Sequence, residues 1–159
     1  MIIVPATKHD IEGIADCAER FFEYAGYKEM GLPLDREHFK NMVLEYISNE
    51  PNSVVLLLKN GAYGKTVGGV AGHISQWGFN NKFRFMVELF YWVDEEYRGI
   101  NSIKLIDKFE KASFSKGADN ILMIRVESFL KDGVERLYLR RGYKPMEAFY
   151  IKGANNGSN

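Results

Sequence analysis

Three places in this chain carry residue types that could do chemistry. Glu88 is the one acid in a mostly apolar run, Phe83 to Val93. Burial there would raise its pKa toward a value useful for proton transfer. A glutamate on a solvent face, or one paired with an arginine, is the equal alternative. Directly after that run come the acidic turn Asp94-Glu95-Glu96, then Tyr97, then Arg98-Gly99, then a helical pattern. A helix that opens just after a strand points several unpaired amides at the loop, and its dipole favours an anion there. Arg98 adds positive charge, and Gly99 permits unusual backbone angles. A pyrophosphate would fit, and a simple strand-to-helix turn is the equal alternative. Third, Tyr138 lies one turn before Gly142, where a second helical pattern stops. By itself it reads as a core tyrosine on an amphipathic helix.

The elements that must position these groups can be read from spacing. Ile2 to Ala6 is an opening strand. Thr7 and Asp10 offer a helix start, and Ile11, Ile14, Ala15, Ala18, Phe22 and Ala25 follow at helical spacing. Gly26, Gly31 and Pro33 mark a loop. Asp35 caps a second helix with Phe39, Met42, Val43, Tyr46 and Ile47 inward, and Pro51-Asn52 ends it. Val54 to Leu58 is apolar on both faces and reads as a buried strand. Asn60-Gly61 signals a turn. Thr66 to Trp77 and Phe83 to Val93 are the next strands, joined by a polar turn from Gly78 to Lys82. Ser102 to Lys116 is a helix with Leu105, Phe109 and Ala112 on one face and Lys104, Lys108 and Lys111 on the other; Gly117 closes it. Ile121 to Val126 is a strand, Asp132 caps a last helix through Arg141, and Pro145 to Lys152 is a final strand. The strand–helix–strand unit from Phe83 to Val126 implies a right-handed parallel pair within a mostly antiparallel sheet. Residues 1–152 form one domain, and 153–159 is a polar, disordered tail.

Bulk composition narrows the functions. The chain has 159 residues, is 46% hydrophobic and 26% charged, and has zero formal net charge. Zero charge argues against a general polyanion binder, so nucleic acid is not the expected partner. Cys17 is the one cysteine, so no internal disulfide forms, which fits a reducing compartment. It falls in a helical apolar pattern and reads as a buried thiol. No apolar run approaches the ~20 residues of a membrane span. Met1 to Asp10 lacks the apolar segment of a signal peptide. These features point to the cytoplasm. His9, His38 and His73 have no metal-ligand spacing, so no metal is expected. Gly64-Lys65-Thr66 lacks the upstream glycine of a phosphate-binding P-loop, since Lys59 stands there.

Two segments carry a resemblance. Val93-Asp94-Glu95-Glu96-Tyr97-Arg98-Gly99 is similar to the Val-x-Pro-x-Tyr-Arg-Gly lead-in of the GCN5-related N-acetyltransferases, with Glu95 in the proline position. Asn101 and Ile103 stand where that family's phosphate loop has two small residues. Leu137-Tyr138-x-x-x-Gly142-Tyr143 resembles the family's Leu-Tyr-x-x-x-Gly-Phe. Glu88 to Val93, and Pro145, Glu147 and Tyr150 to Lys152, look like the corresponding stretches of bacteriophage-encoded members, whose setting would be the host cytoplasm. The resemblance implies an α+β fold: a mixed, mostly antiparallel central sheet flanked by helices, with one splayed parallel strand pair. It implies acetyl-CoA as co-substrate, its pantetheine arm completing the gap between Phe83–Val93 and Ile121–Val126 in the manner of an added strand. Tyr91, Trp92, Val93, Arg98, Gly99, Ile100, Asn101, Ser102 and Ile103 are the implied cofactor-binding residues. A backbone amide near Tyr91 to Val93 would stabilise the oxyanion. Glu88 is the implied base for the attacking amine and Tyr138 the implied acid for the leaving thiolate.

The expected function is therefore an acetyl-CoA-dependent N-acetyltransferase that moves an acetyl group to a primary amine by direct attack. The acceptor is a small molecule or a peptide amine, and a homodimer is compatible with the sequence. Two alternatives belong to other classes. One is a binding or virion-associated module that keeps the fold without catalysis; the other is an enzyme that modifies a nucleobase on the same fold. Acceptor choice falls to Phe21 to Leu34 and to Trp77 to Lys82, where Glu23, Glu29 and Asp35 could attract a cationic amine.

Overall fold

A computed structural model describes residues 1–126 and 133–152. Strand β1 (Ile2–Pro5) leads through a 3₁₀ turn into helix α1 (Ile11–Ala25) and helix α2 (Arg36–Ser48). Strands β2 (Ser53–Lys59), β3 (Thr66–Trp77) and β4 (Asn80–Val93) follow, then helix α3 (Ile100–Ser115), strand β5 (Asn120–Leu122) and helix α4 (Val134–Arg140). The five strands lie in sequence order; all neighbours are antiparallel except β4 and β5, which are parallel. This is the α+β architecture expected from the sequence.

The apolar run of β2 explains the layering. Side chains alternate across a sheet, so Val54, Leu56 and Leu58 meet Leu105 and Phe109 of α3. Val55 and Leu57 meet Ile14 and Ala18 of α1 and Phe39 and Val43 of α2 on the other face. Each such side chain, once buried, contributes roughly 1.5–3 kcal/mol. The α2 start is capped as read, with the His38 amide donating to Asp35 Oδ1 at 3.0 Å.

Three expectations need correction. Helix α3 begins at Ile100, two residues before Ser102, because Gly99 itself takes the cap position with φ +79°. The strand read over Ile121 to Val126 is confined to Asn120–Leu122. Pro145 to Lys152 is not a strand. A strand exists only by pairing its backbone, and β5 is too short to give this segment a ladder. Phe149 and Tyr150 are accordingly exposed. The Asp132 cap and the 153–159 tail lie outside the described residues. Among the described residues, no helix is long and apolar enough to cross a membrane.

Candidate active site

The site begins as a fault in the sheet. The β3–β4 register runs Ala71↔Phe90 and then Gly72↔Glu88, so Leu89 is an extra residue, a β-bulge. Bulges bend and twist the strand that carries them. The β4–β5 pairing stops at the same level: Phe85↔Asn120, Met86↔Ile121, Val87↔Leu122, and no further. Gly72 makes the bulge sterically feasible. A Cβ there would stand 2.7 Å from the Val87 carbonyl oxygen and 2.9 Å from Phe109 Cζ.

Beyond Val87 the strands part, and Glu88 enters the opening. It is 6% exposed, and its Oε2 accepts a 2.7 Å hydrogen bond from the Ile124 amide, a group that a continued ladder would have paired. No arginine or lysine among the described residues pairs with it. Burial pushes its pKa up to about 8, against the opposing pull of that amide. Tyr138 reaches the same opening from α4. Its hydroxyl donates to the Ile124 carbonyl at 3.3 Å, so Ile124 holds both candidates, one on each of its backbone groups. Burial, reinforced by the charge of Glu88, holds the Tyr138 hydroxyl well above its usual range and hence protonated.

A cavity of about 240 Å³ occupies this parting. Glu88, Tyr138, Tyr91, Trp92, Val93, Arg98, Gly99, Ser102 and Ile103 all line it. The remaining two expected residues do not. Ile100 is 60% exposed. Asn101 turns its side-chain amide back to the Tyr97 carbonyl at 2.8 Å, closing the turn that starts α3. The helix's leading amides precede its first internal bond, from Ile103 to the Gly99 carbonyl, and their dipole end faces the cavity.

Arg98 does more than bear charge. Its guanidinium lies over the rings of Trp92 and Tyr24, at 4.8 and 5.1 Å from their centroids, and its Nε donates to the Val93 carbonyl at 2.9 Å. Because the Asp94 amide donates to Val67 of β3, the Val93 carbonyl faces the parting. Backbone direction alternates along a strand, so the Tyr91 amide and carbonyl face it too. The Tyr91 hydroxyl donates to the Ser102 carbonyl at 3.4 Å, tying β4 to the first turn of α3.

Sequence reasoning missed Asp94 and Arg20. Asp94 is buried; its Oδ1 accepts from Trp92 Nε1 at 2.8 Å and from Arg20 Nε at 2.9 Å. That network fixes the end of β4 against α1. Within the run Asp94-Glu95-Glu96 nothing marked the first acid as different, except Trp92 two residues before it, whose N–H needs a partner when buried. The three acids expected to attract an amine do not line the cavity: Asp35 is spent as a cap, and Glu23 and Glu29 are exposed. Cys17 is buried, and burial pushes its thiol up to about 12.

No protein-family model and no curated protein sequence matches the chain. Solved structures do. A GCN5-related N-acetyltransferase from Ralstonia eutropha superposes with a TM-score of 0.74 at 17% identity, covering 95% of this chain and 97% of that one. The fold is that of the GCN5-related N-acetyltransferases. The BH1408 protein of Bacillus halodurans, as a tetramutant, gives 0.74 at 19% identity over 97% of this chain and 100% of its own. Glucosamine-6-phosphate N-acetyltransferase from Arabidopsis thaliana gives 0.67 at 16% identity, over 96% and 97%. At these identities the likeness is one of fold.

Proposed function

We propose that the chain is an acetyl-CoA-dependent N-acetyltransferase acting on a primary amine by direct attack. The observation that carries the reading is the parted β4–β5 pair, with a buried carboxyl and a protonated tyrosine meeting at Ile124. An unfilled parting leaves backbone groups without partners, which is costly, and a linear amide-bearing arm supplies partners.

The residues present suit acetyl-CoA. The Tyr91 backbone offers an amide and a carbonyl to a pantetheine arm, and the wall at Val93, Ile103 and Trp92 is apolar. The first turn of α3 suits phosphate oxygens, and Gly99 keeps that approach free of a side chain. When bound, the coenzyme supplies an acetyl group already activated as a thioester. Glu88, in its carboxylate form, takes a proton from the incoming ammonium. A nitrogen–carbon bond forms at the acetyl carbonyl and the carbon–sulfur bond breaks. A backbone amide of β4 facing the parting stabilises charge on the carbonyl oxygen. Tyr138 gives its proton to the departing sulfur, and the second proton of the nitrogen replaces it. In sum, amine and thioester become amide and thiol.

Calorimetry with acetyl-CoA tests the reading. Saturable binding in the micromolar range is expected. Absence of heat up to high micromolar cofactor would leave a non-catalytic module on the same fold.

A further inference from the structure

The first cavity accounts for the coenzyme and leaves the acceptor open. A second cavity, of about 170 Å³, adjoins it and shares Glu88, Phe21, Trp92 and Ile124 with it. Glu88 therefore stands in the wall between two chambers. The second chamber is enclosed by α1, α2 and the loop after α1 on one side and by β4 on the other. Its distinctive walls are Phe22, Tyr27, Phe39, Met42 and Phe90. The rings brace one another: Phe22 and Tyr27 lie edge to face at 5.0 Å between centroids, and Phe39 tilts against Phe90 at 5.9 Å.

Among the described residues lining this chamber, Glu88 carries the one carboxyl, Tyr27 adds a hydroxyl and Cys17 a thiol, and no lysine, arginine, asparagine, serine or threonine takes part. That composition selects by exclusion. A phosphate, a row of sugar hydroxyls or a second ammonium would lose water there with only the Tyr27 hydroxyl and the Glu88 carboxyl to replace it. A flat apolar body would instead meet aromatic faces. Size narrows the choice further: an apolar cavity of about 150 Å³ holds one benzene ring. A volume of about 170 Å³ suits one ring with a short arm.

We propose that this chamber is the acceptor site and that the acceptor is a small primary monoamine bearing one aromatic ring or an apolar chain of equal bulk, its nitrogen placed at Glu88. The proposal rests on the acyltransferase reading above. The bonds made and broken are those already given, with the arylalkyl amine as the nitrogen donor.

The test is a panel of amines with the full chain and acetyl-CoA, following release of coenzyme thiol. The panel is 2-phenylethylamine, benzylamine and isoamylamine against spermidine, glucosamine 6-phosphate and a lysine-containing peptide. The expected kcat/KM is about tenfold to hundredfold higher for 2-phenylethylamine than for the polar amines, the margin given by burying one ring. Replacing Ala18, which also lines the chamber, by Leu fills the space; it raises the KM for 2-phenylethylamine about tenfold and leaves that for acetyl-CoA unchanged. If A18L fails to fold, Met42→Gln, which puts a polar group in the wall, is the second variant, with the same expected split. Turnover of polar amines with none of 2-phenylethylamine overturns the acceptor assignment and leaves the acyltransferase reading intact. Failure of acetyl-CoA to bind removes that reading instead. In that case calorimetry of 2-phenylethylamine against the chain alone still decides the chamber, because absence of binding at millimolar amine overturns it.

Discussion

The two sides of β4 obey opposite rules. Toward β3 the ladder runs from Gly68↔Val93 to Trp77↔Asn80, interrupted by the bulge at Leu89 and by a shift near the hairpin. Toward β5 it ends after Val87↔Leu122. The closed side is backed by the layer of Met86, Leu105 and Phe109, all fully buried. The open side is lined by Glu88, Tyr91 and Tyr138, polar groups whose pKa values burial has displaced upward. One strand thus separates a face built to hold from a face built to receive. The bulge lets both exist, because it bends β4 where pairing with β5 ends without breaking its pairing with β3.

Perturbing each side sharpens this contrast. Glu88→Gln is expected to have the largest effect on turnover, a fall of about 10²–10⁴-fold in kcat, with the fold kept because an amide oxygen still accepts from Ile124. In the parent chain, kcat/KM is expected to rise with pH toward about 8 as the carboxyl ionises; the variant should lose that limb. Stability runs the other way. Between the ordinary value of 4.5 and about 8 the folded chain keeps a proton on Glu88 that the unfolded chain has released. Stability therefore falls as pH rises through that window. Denaturant melts at pH 5 and pH 8 should show this fall in the parent and a flatter response in E88Q.

On the closed side, Phe109→Ala should remove about 3–5 kcal/mol of stability. For a chain of this size that lowers Tm by about 6–20 °C, while coenzyme affinity of the folded fraction is retained. Asp94→Ala strands the Trp92 and Arg20 donors and should cost about 1–3 kcal/mol, read in the same melts. The smallest expected effect is that of Tyr138→Phe. A thiolate of pKa ~8.5 leaves with little help, so kcat should fall by about tenfold to hundredfold, toward the low end for proton transfer. Unchanged turnover in Y138F would remove the tyrosine from the reaction while leaving the rest of the site standing.

The closed side was the more legible in the sequence. Periodicity located α1, α2, β2, β3 and β4, because burial against a continuous neighbour leaves a regular apolar pattern. The open side was read by position and misjudged in extent. Ile121 to Val126 is as apolar as a strand, yet only its first residues pair; Ile124 and Val126 line the cavities instead. A cavity wall and a strand ask for the same residue types, so composition alone does not separate them. Glu88 stood out as an isolated acid, but whether it faced water depended on β5 turning away, a tertiary event. The Pro145–Lys152 run had strand-forming residues and no partner strand long enough to pair with. Asp94 was hidden because its burial depends on Arg20, far away in the chain.

Cys17 lines the second chamber, and with its thiol pushed up to about 12 it stays protonated near neutrality. Cys17 therefore brings no thiolate to the meeting of thioester and amine, and no acetyl group should be stranded on its side chain. Reagents that colour with free sulfhydryls should stay silent toward the native protein itself. Whatever signal they give during turnover counts coenzyme alone.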